Sequence, residues 1–205
     1  MTRTKVKRLT ARSVKQTVAP ARLSDLEKRL SALYDAGEVK RLHTVPMLRP
    51  HTIAEHVYGS LLIASELVTL NVRMAASTNL NISYQKVVAA LLIHDAPELR
   101  TGDAPAPVKR AFPAVDDAHA QMENDFYHEH DMEFPYLNEL EAHIVKASDT
   151  LDLGFTIVRE RRMGNRHPIL KEVYDNVMLY TLMQTGKVDG VGEIRVLLAA
   201  QWGGV

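Results

Sequence analysis

The segment Leu91-Leu92-Ile93-His94-Asp95-Ala96-Pro97-Glu98 ends an apolar run in adjacent His and Asp, with a Glu three residues beyond the Asp. Neutral imidazole offers a nitrogen ligand and carboxylate an oxygen ligand. Two such neighbours at a helix end can hold one divalent cation if further ligands arrive from elsewhere. Two donors are available: His56, which follows Glu55, and Asp149, in Lys146-Ala147-Ser148-Asp149. Taken singly, each has an ordinary reading, as a core or surface histidine or as an aspartate paired with Lys146. In the order His…His-Asp…Asp they predict a shared ion, an activated water and hence hydrolysis. Zinc, manganese and cobalt all tolerate two nitrogen and two oxygen ligands, so these residue types leave the metal open. Glu98 lies one turn beyond His94, and Asp103 in the loop that follows. Either can orient the attacking water or pass a proton to a leaving oxygen. The alternatives are a carboxylate that braces a metal histidine for Glu98 and an Asx-type turn for Asp103.

The elements that must position these groups read as helices. Ser24-Asp25-Leu26-Glu27 is a capping-box pattern, predicting a helix from Ser24 to Gly37 with Leu26, Leu30, Leu33 and Tyr34 at helical spacing. Thr52 to about Val72 reads as a long helix, with Ile53, Val57, Leu61 and Ala64 on one stripe and His56 near its start. Ser83 starts another, with Val87, Val88, Leu91 and Leu92 facing inward. Pro97 disfavours helical geometry at Ala96 and ends that helix just after His94-Asp95. The stretch 97–107, with Pro97, Gly102, Pro105 and Pro107, reads as a loop leaving the metal candidates. Asp116 to about Asp131 is helical. Leu137 to about Arg162 is longer, and its Leu140, Ile144, Ala147 and Leu151 turn Ser148 and Asp149 inward. Gly164-Asn165 breaks it. Further helices follow from Pro168 to about Thr185 and from Val191 to Trp202. Strand signals are nearly missing, so the expected fold is an all-α, single-domain helical bundle.

Composition narrows the rest. At 205 residues the chain suits one domain, and 46% hydrophobic and 24% charged residues are ordinary for a globular protein. Cysteine is absent, which excludes thiolate metal sites and disulfides and fits a reducing cytosol. No uninterrupted apolar run suggests a membrane span, and no apolar core follows the N-terminal charges as in a secretory signal. Net charge is zero but uneven, because residues 1–20 carry Arg3, Lys5, Lys7, Arg8, Arg12 and Lys15 and no acid. That segment reads as a basic extension before a domain over 21–205. A nucleic-acid-binding bundle using this tail is the nonenzymatic alternative.

The segment His94-Asp95-Ala96-Pro97-Glu98 followed by Thr101-Gly102-Asp103-Ala104-Pro105-Ala106-Pro107-Val108-Lys109 resembles the HD-domain metal-dependent phosphohydrolases, and most closely their 5'-deoxynucleotidase branch. Thr52-Ile53-Ala54-Glu55-His56 and Val145-Lys146-Ala147-Ser148-Asp149 resemble the segments bearing that family's first metal His and last metal Asp. The resemblance runs from about Arg41 to about Gly164 and implies an HD-type fold. It implies one divalent ion on His56, His94, Asp95 and Asp149, with catalytic roles for Glu98 and Asp103. It places a phosphate-binding arginine at Arg41, and a guanidinium can grip two phosphate oxygens at once. Leu42, Asp103, Pro107 and Lys109 are the further substrate-contact candidates, with Lys40 a weaker one. The implied substrate is a 2'-deoxynucleotide, most simply a monophosphate cleaved to deoxynucleoside and phosphate. Many family members carry Trp where this chain has Leu42. Similar phage enzymes with an aliphatic residue there convert dATP to deoxyadenosine and triphosphate, so triphosphate hydrolysis is the rival reading. A cyclic-dinucleotide phosphodiesterase is a more distant one. Relatives of this type pair or assemble further, implying a homodimer or higher homo-oligomer in the cytoplasm, the host's if the gene is a phage's. His43 and His51 flank the presumed phosphate loop, whereas His119, His128, His130, His143 and the Arg159-Glu160-Arg161-Arg162 cluster read as surface.

Overall fold

The computed structural model describes residues 20–74, 81–104 and 106–204. Over these the chain runs α1 (Pro20–Gly37), β1 (Lys40–Arg41), β2 (His51–Thr52), α2 (Ile53–Met74), α3 (Tyr84–Ile93), α4 (Glu98–Thr101), α5 (Ala106–Ala111), α6 (Pro113–Glu129), α7 (Glu139–Arg162), α8 (Ile169–Leu182) and α9 (Val191–Gly203). The architecture is all-α, as expected. Among the described residues one small sheet pairs β1 with β2 antiparallel, Lys40 opposite Thr52 and Arg41 opposite His51.

Helix α7 is the central element and packs against α2, α3, α8 and α9. Its inward stripe, Ile144, Ala147, Leu151 and Ile157, is fully buried and meets Ala64 and Leu67 of α2 and Val87 and Leu91 of α3. Truncating one such leucine to alanine costs about 2–5 kcal/mol, so this layer holds the helices in register. The same register carries the chemistry, because His56 lies on the buried stripe of α2 and Asp149 on α7.

The helix ends are specified by their caps. Asn138 Oδ1 accepts from the Glu141 N–H at 2.9 Å, and Glu141 Oε2 accepts from the Asn138 N–H at 2.8 Å, a reciprocal box that starts α7. The other oxygen of Glu141 accepts from the Ser83 N–H at 2.7 Å, and Ser83 is itself the N-cap of α3. One buried carboxylate therefore ties together the starts of the two helices that deliver His94-Asp95 and Asp149, at the end where helix dipoles favour negative charge.

Several sequence expectations need correction. Ser24 is not an N-cap, since α1 is already helical at Pro20, whose fixed φ suits a first helical turn. Leu26, Leu30 and Tyr34 lie on the exposed side of α1, and Ala32 and Ala36 are its buried contacts. Leu92 is about half exposed rather than inward. The expected loop 97–107 contains the single turn α4 and the start of α5. Glu160 is buried, not solvated, and its carboxylate accepts from the Leu48 and Arg49 N–H groups at 2.7 and 3.1 Å and from Asn165 Nδ2 at 2.9 Å. Helix α2 is long and apolar enough to cross a bilayer by length and composition. Here one face of it, with His56, Ser60, Ala64 and Leu67, is buried against its neighbours. Part of the basic segment, residues 1–19, lies outside the described residues.

Candidate metal centre

The doublet His94-Asp95 sits where α3 stops. His94 is the C-cap, and its ring Nδ1 lies 2.9 Å from the Leu91 carbonyl one turn back. That contact requires Nδ1 to carry the proton, which leaves Nε2 with a free lone pair. The turn is clamped from outside by Tyr127 of α6, whose hydroxyl donates to the carbonyls of Ile93 and His94 at 3.1 and 3.2 Å.

His56 enters from the first turns of α2 and is held differently. Its Nδ1 lies 2.8 Å from Asp152 Oδ2 on α7, so a carboxylate fixes its tautomer and again leaves Nε2 free. The two imidazoles lie 5.5 Å apart, centroid to centroid. Between them Asp95 Oδ2 is 3.4 Å from His56 Nε2 and 3.2 Å from His94 Nε2. Asp149 Oδ1 is 3.2 Å from His56 Nε2, while its Oδ2 accepts from Lys146 at 2.6 Å. Arg41 reaches in from β1 and forms an ion pair with Asp95 Oδ2.

These groups fit a divalent cation. Both Nε2 atoms are buried and lack a hydrogen-bond partner. Buried polar nitrogens are rarely left so without a function. Both point into a space that two carboxylates share, and both are oriented through the opposite ring nitrogen, as metal-binding histidines are.

The electrostatics separate the two rings. Burial pushes the His94 pKa down to about 4, so this ring is neutral at neutral pH. Burial also works against charge on His56, but the carboxylates of Asp149 and Asp152 outweigh it and raise its pKa. Burial opposes ionisation of Asp149, yet its contact with His56 and the charge of Lys146 hold it ionised well below the usual range. Burial pushes Glu98 up to about 7, with Arg41 opposing and Asp103 adding to the rise. A carboxyl poised there can give or take a proton at neutral pH.

Residues 30–186 match the family profile described as 5'-deoxynucleotidase YfbR-like. The chain belongs to the YfbR-like family. It is therefore a hydrolase of phosphate esters, a metal-dependent nucleotide phosphohydrolase of the HD-domain type. Solved structures share the fold. An HD-domain phosphohydrolase from Listeria innocua superposes with a TM-score of 0.66 at 20% identity, covering 79% of this chain and 82% of that one. The cyanophage S-2L HD phosphohydrolase DatZ, bound to dA and one catalytic Zn2+ ion, gives 0.58 at 19% identity, covering 92% of this chain and 96% of its own. A Pyrococcus horikoshii protein gives 0.61 at 18% identity, covering 86% and 98%. No curated protein matches the sequence.

Within this YfbR-like chain, His56, His94 and Asp95 lie close enough together to share a cation, Asp149 reaches His56, and Arg41 pairs with Asp95. Glu98, on α4, has a buried Oε2 without a partner. Asp103 accepts the Leu42 N–H at 2.7 Å and so pins the chain as it leaves Arg41. Leu42 stands there at φ +56, a left-handed conformation that leucine rarely adopts, and its side chain packs against the main core. Lys109 lies 3.7 Å from Glu123. Pro107 falls within α5. Lys40 and His43 are exposed, and His51 is buried beside Asp152. Sequence reasoning missed Asp152, Tyr127 and the role of Glu160. Only the three-residue spacing of Asp149 and Asp152, one helical turn, hinted at the first.

Proposed function

We propose that this chain is a 5'-deoxynucleotidase that converts a deoxynucleoside monophosphate to deoxynucleoside and phosphate. The observation that carries the reading is the pair of buried, unpartnered Nε2 atoms facing the carboxylates of Asp95 and Asp149. His56, His94, Asp95 and Asp149 would hold one divalent ion, zinc, manganese or cobalt. When bound, such an ion lowers the pKa of water and polarises a phosphoryl oxygen. The chain's own groups supply the rest. Arg41 spends its charge on Asp95 until a substrate phosphate offers two oxygens for its guanidinium, which its edge-on fork suits. Glu98, near half-ionised at neutral pH, takes a proton from the attacking water. Asp103 holds the Arg41-Leu42 backbone in place, and the proton that Glu98 has taken passes to the departing 5'-oxygen of the nucleoside, which restores the carboxylate.

A second reading is favoured by Leu42. Its side chain joins the core, so no aromatic plane from this position lies over the nucleoside. This supports a wider or differently shaped pocket and conversion of dATP to deoxyadenosine and triphosphate. Purified protein incubated with dAMP and with dATP, products resolved by chromatography, tests both. Free phosphate from dAMP supports the first reading and intact triphosphate from dATP the second; neither product with any deoxynucleotide and any of the three metals overturns both.

We also read the chain as a homo-oligomer acting in the cytoplasm where deoxynucleotides are made, the host's if a phage encodes it. Support for self-association comes from the outer faces of α1, α2 and α3, where Leu30, Tyr34, Tyr58, Leu61 and Leu92 line an apolar groove of about 400 Å3. Sedimentation at several concentrations reads this directly, and a monomer throughout contradicts it.

A further inference from the structure

We propose that Asp152 is a positioning residue of the metal centre, fixing the tautomer and aim of His56 and linking that ligand to the strand that carries Arg41; the proposal rests on the metal reading above. Asp152 is buried on α7, one turn beyond Asp149. Its Oδ2 is 2.8 Å from His56 Nδ1 and 3.4 Å from His51 Nε2. A single carboxylate oxygen thus faces two imidazoles from one side. His51 belongs to β2, and its partner across the ladder is Arg41. The ligand on α2 and the phosphate-gripping residue on β1 are in this way referred to one fixed acid.

The helix opposite is shaped to admit it. Gly59 lies on α2 within a turn of His56, where a Cβ would fall 1.8 Å from Asp152 Oδ1 and 2.8 Å from its Cγ. Glycine inside a helix is unfavourable relative to alanine and marks close approach of another group. Here that group is the carboxylate that orients a ligand. The absence of a side chain at Gly59 and the presence of an acid at Asp152 therefore form one device.

The test uses metal-stripped full-length protein titrated with Zn2+ against a chelating competitor, with circular dichroism as the check on fold. D152N keeps the shape of the side chain but removes its charge, and the expected loss of Zn2+ affinity is roughly 10–100-fold. G59A should lose affinity to a similar degree, although alanine favours the helix. The double variant should bind no worse than the weaker single variant, because both changes remove the same support. Imidazole nitrogen NMR supplies a readout that a merely structural role would not move. Wild-type His56 is expected to be protonated at Nδ1 before metal addition, and D152A is expected to lose that preference. Folded D152N and G59A that bind Zn2+ as tightly as wild type overturn the proposal, as does an unchanged His56 tautomer in D152A. If wild type itself binds no Zn2+, Mn2+ or Co2+, the metal reading fails and takes this one with it.

Discussion

His94 and His56 present the same nitrogen to the same space from two different helices, yet they are held by different means. His94 is oriented by the Leu91 carbonyl of its own helix, three residues back. His56 is oriented by Asp152, which lies 96 residues away. Local support comes with the helix and survives most changes elsewhere. Distant support depends on α2 and α7 packing in one register, with a glycine at the crossing. One half of the centre is therefore built into a helix end, and the other half is built into the core.

The largest expected effect comes from removing the locally held ligand. His94→Ala should abolish phosphate release from the preferred deoxynucleotide while leaving the circular dichroism spectrum unchanged. Full turnover in that variant would contradict the site. Glu98→Gln comes next, with a loss of about 10²–10⁴ in kcat, the range typical of a positioned acid or base. Because burial lifts Glu98 to about 7, the basic form accumulates as pH rises through neutrality. Wild-type kcat should accordingly climb across that range to a plateau. The residual activity of Glu98→Gln should lack that limb, and an identical profile in both proteins would assign the proton transfer to another group.

This contrast also explains what could be read in the sequence. The four ligand candidates were legible because His and Asp are chemically distinctive and the doublet ends an apolar helix. The start of α7 was legible to within two residues, and Asn138 and Glu141 show why. Asp152 was not, because an acid one turn along a charged helix looks like part of a solvated face. Glu160 was misread for the same reason, its burial being set by the loop folded over it. Helix α1 misled in the opposite direction. Its capping-box pattern at Ser24 lost to a helix already formed at Pro20, and its apolar stripe faces outward. Local spacing shows which face of a helix is apolar, but only packing decides which face is covered.

Two smaller effects sharpen the comparison. Tyr127→Phe removes the hydroxyl that clamps the end of α3, and should lower stability by about 1 kcal/mol in chemical denaturation. Metal affinity should change little, since Leu91 still orients His94; a large loss of affinity would show that His94 is not locally held after all. The rings should also differ in proton release. Metal-free His94, at about 4, is already neutral at pH 6 to 7. Despite burial, the carboxylates of Asp149 and Asp152 raise the His56 pKa, so a larger share of this ring than of His94 is charged before a cation displaces the proton on Nε2. Calorimetry in buffers of different ionisation enthalpy should detect proton release on ion binding, with affinity falling as pH is lowered. Release of none would place the ion away from His56.

The most direct measurement is the position of a bound ion by anomalous diffraction from crystals grown with Zn2+. One peak is expected, about 2.0–2.2 Å from His56 Nε2, His94 Nε2 and carboxylate oxygens of Asp95 and Asp149. A peak instead among His51, His56 Nδ1 and Asp152, a second His/Asp group among the described residues close enough to hold a cation, would contradict that centre.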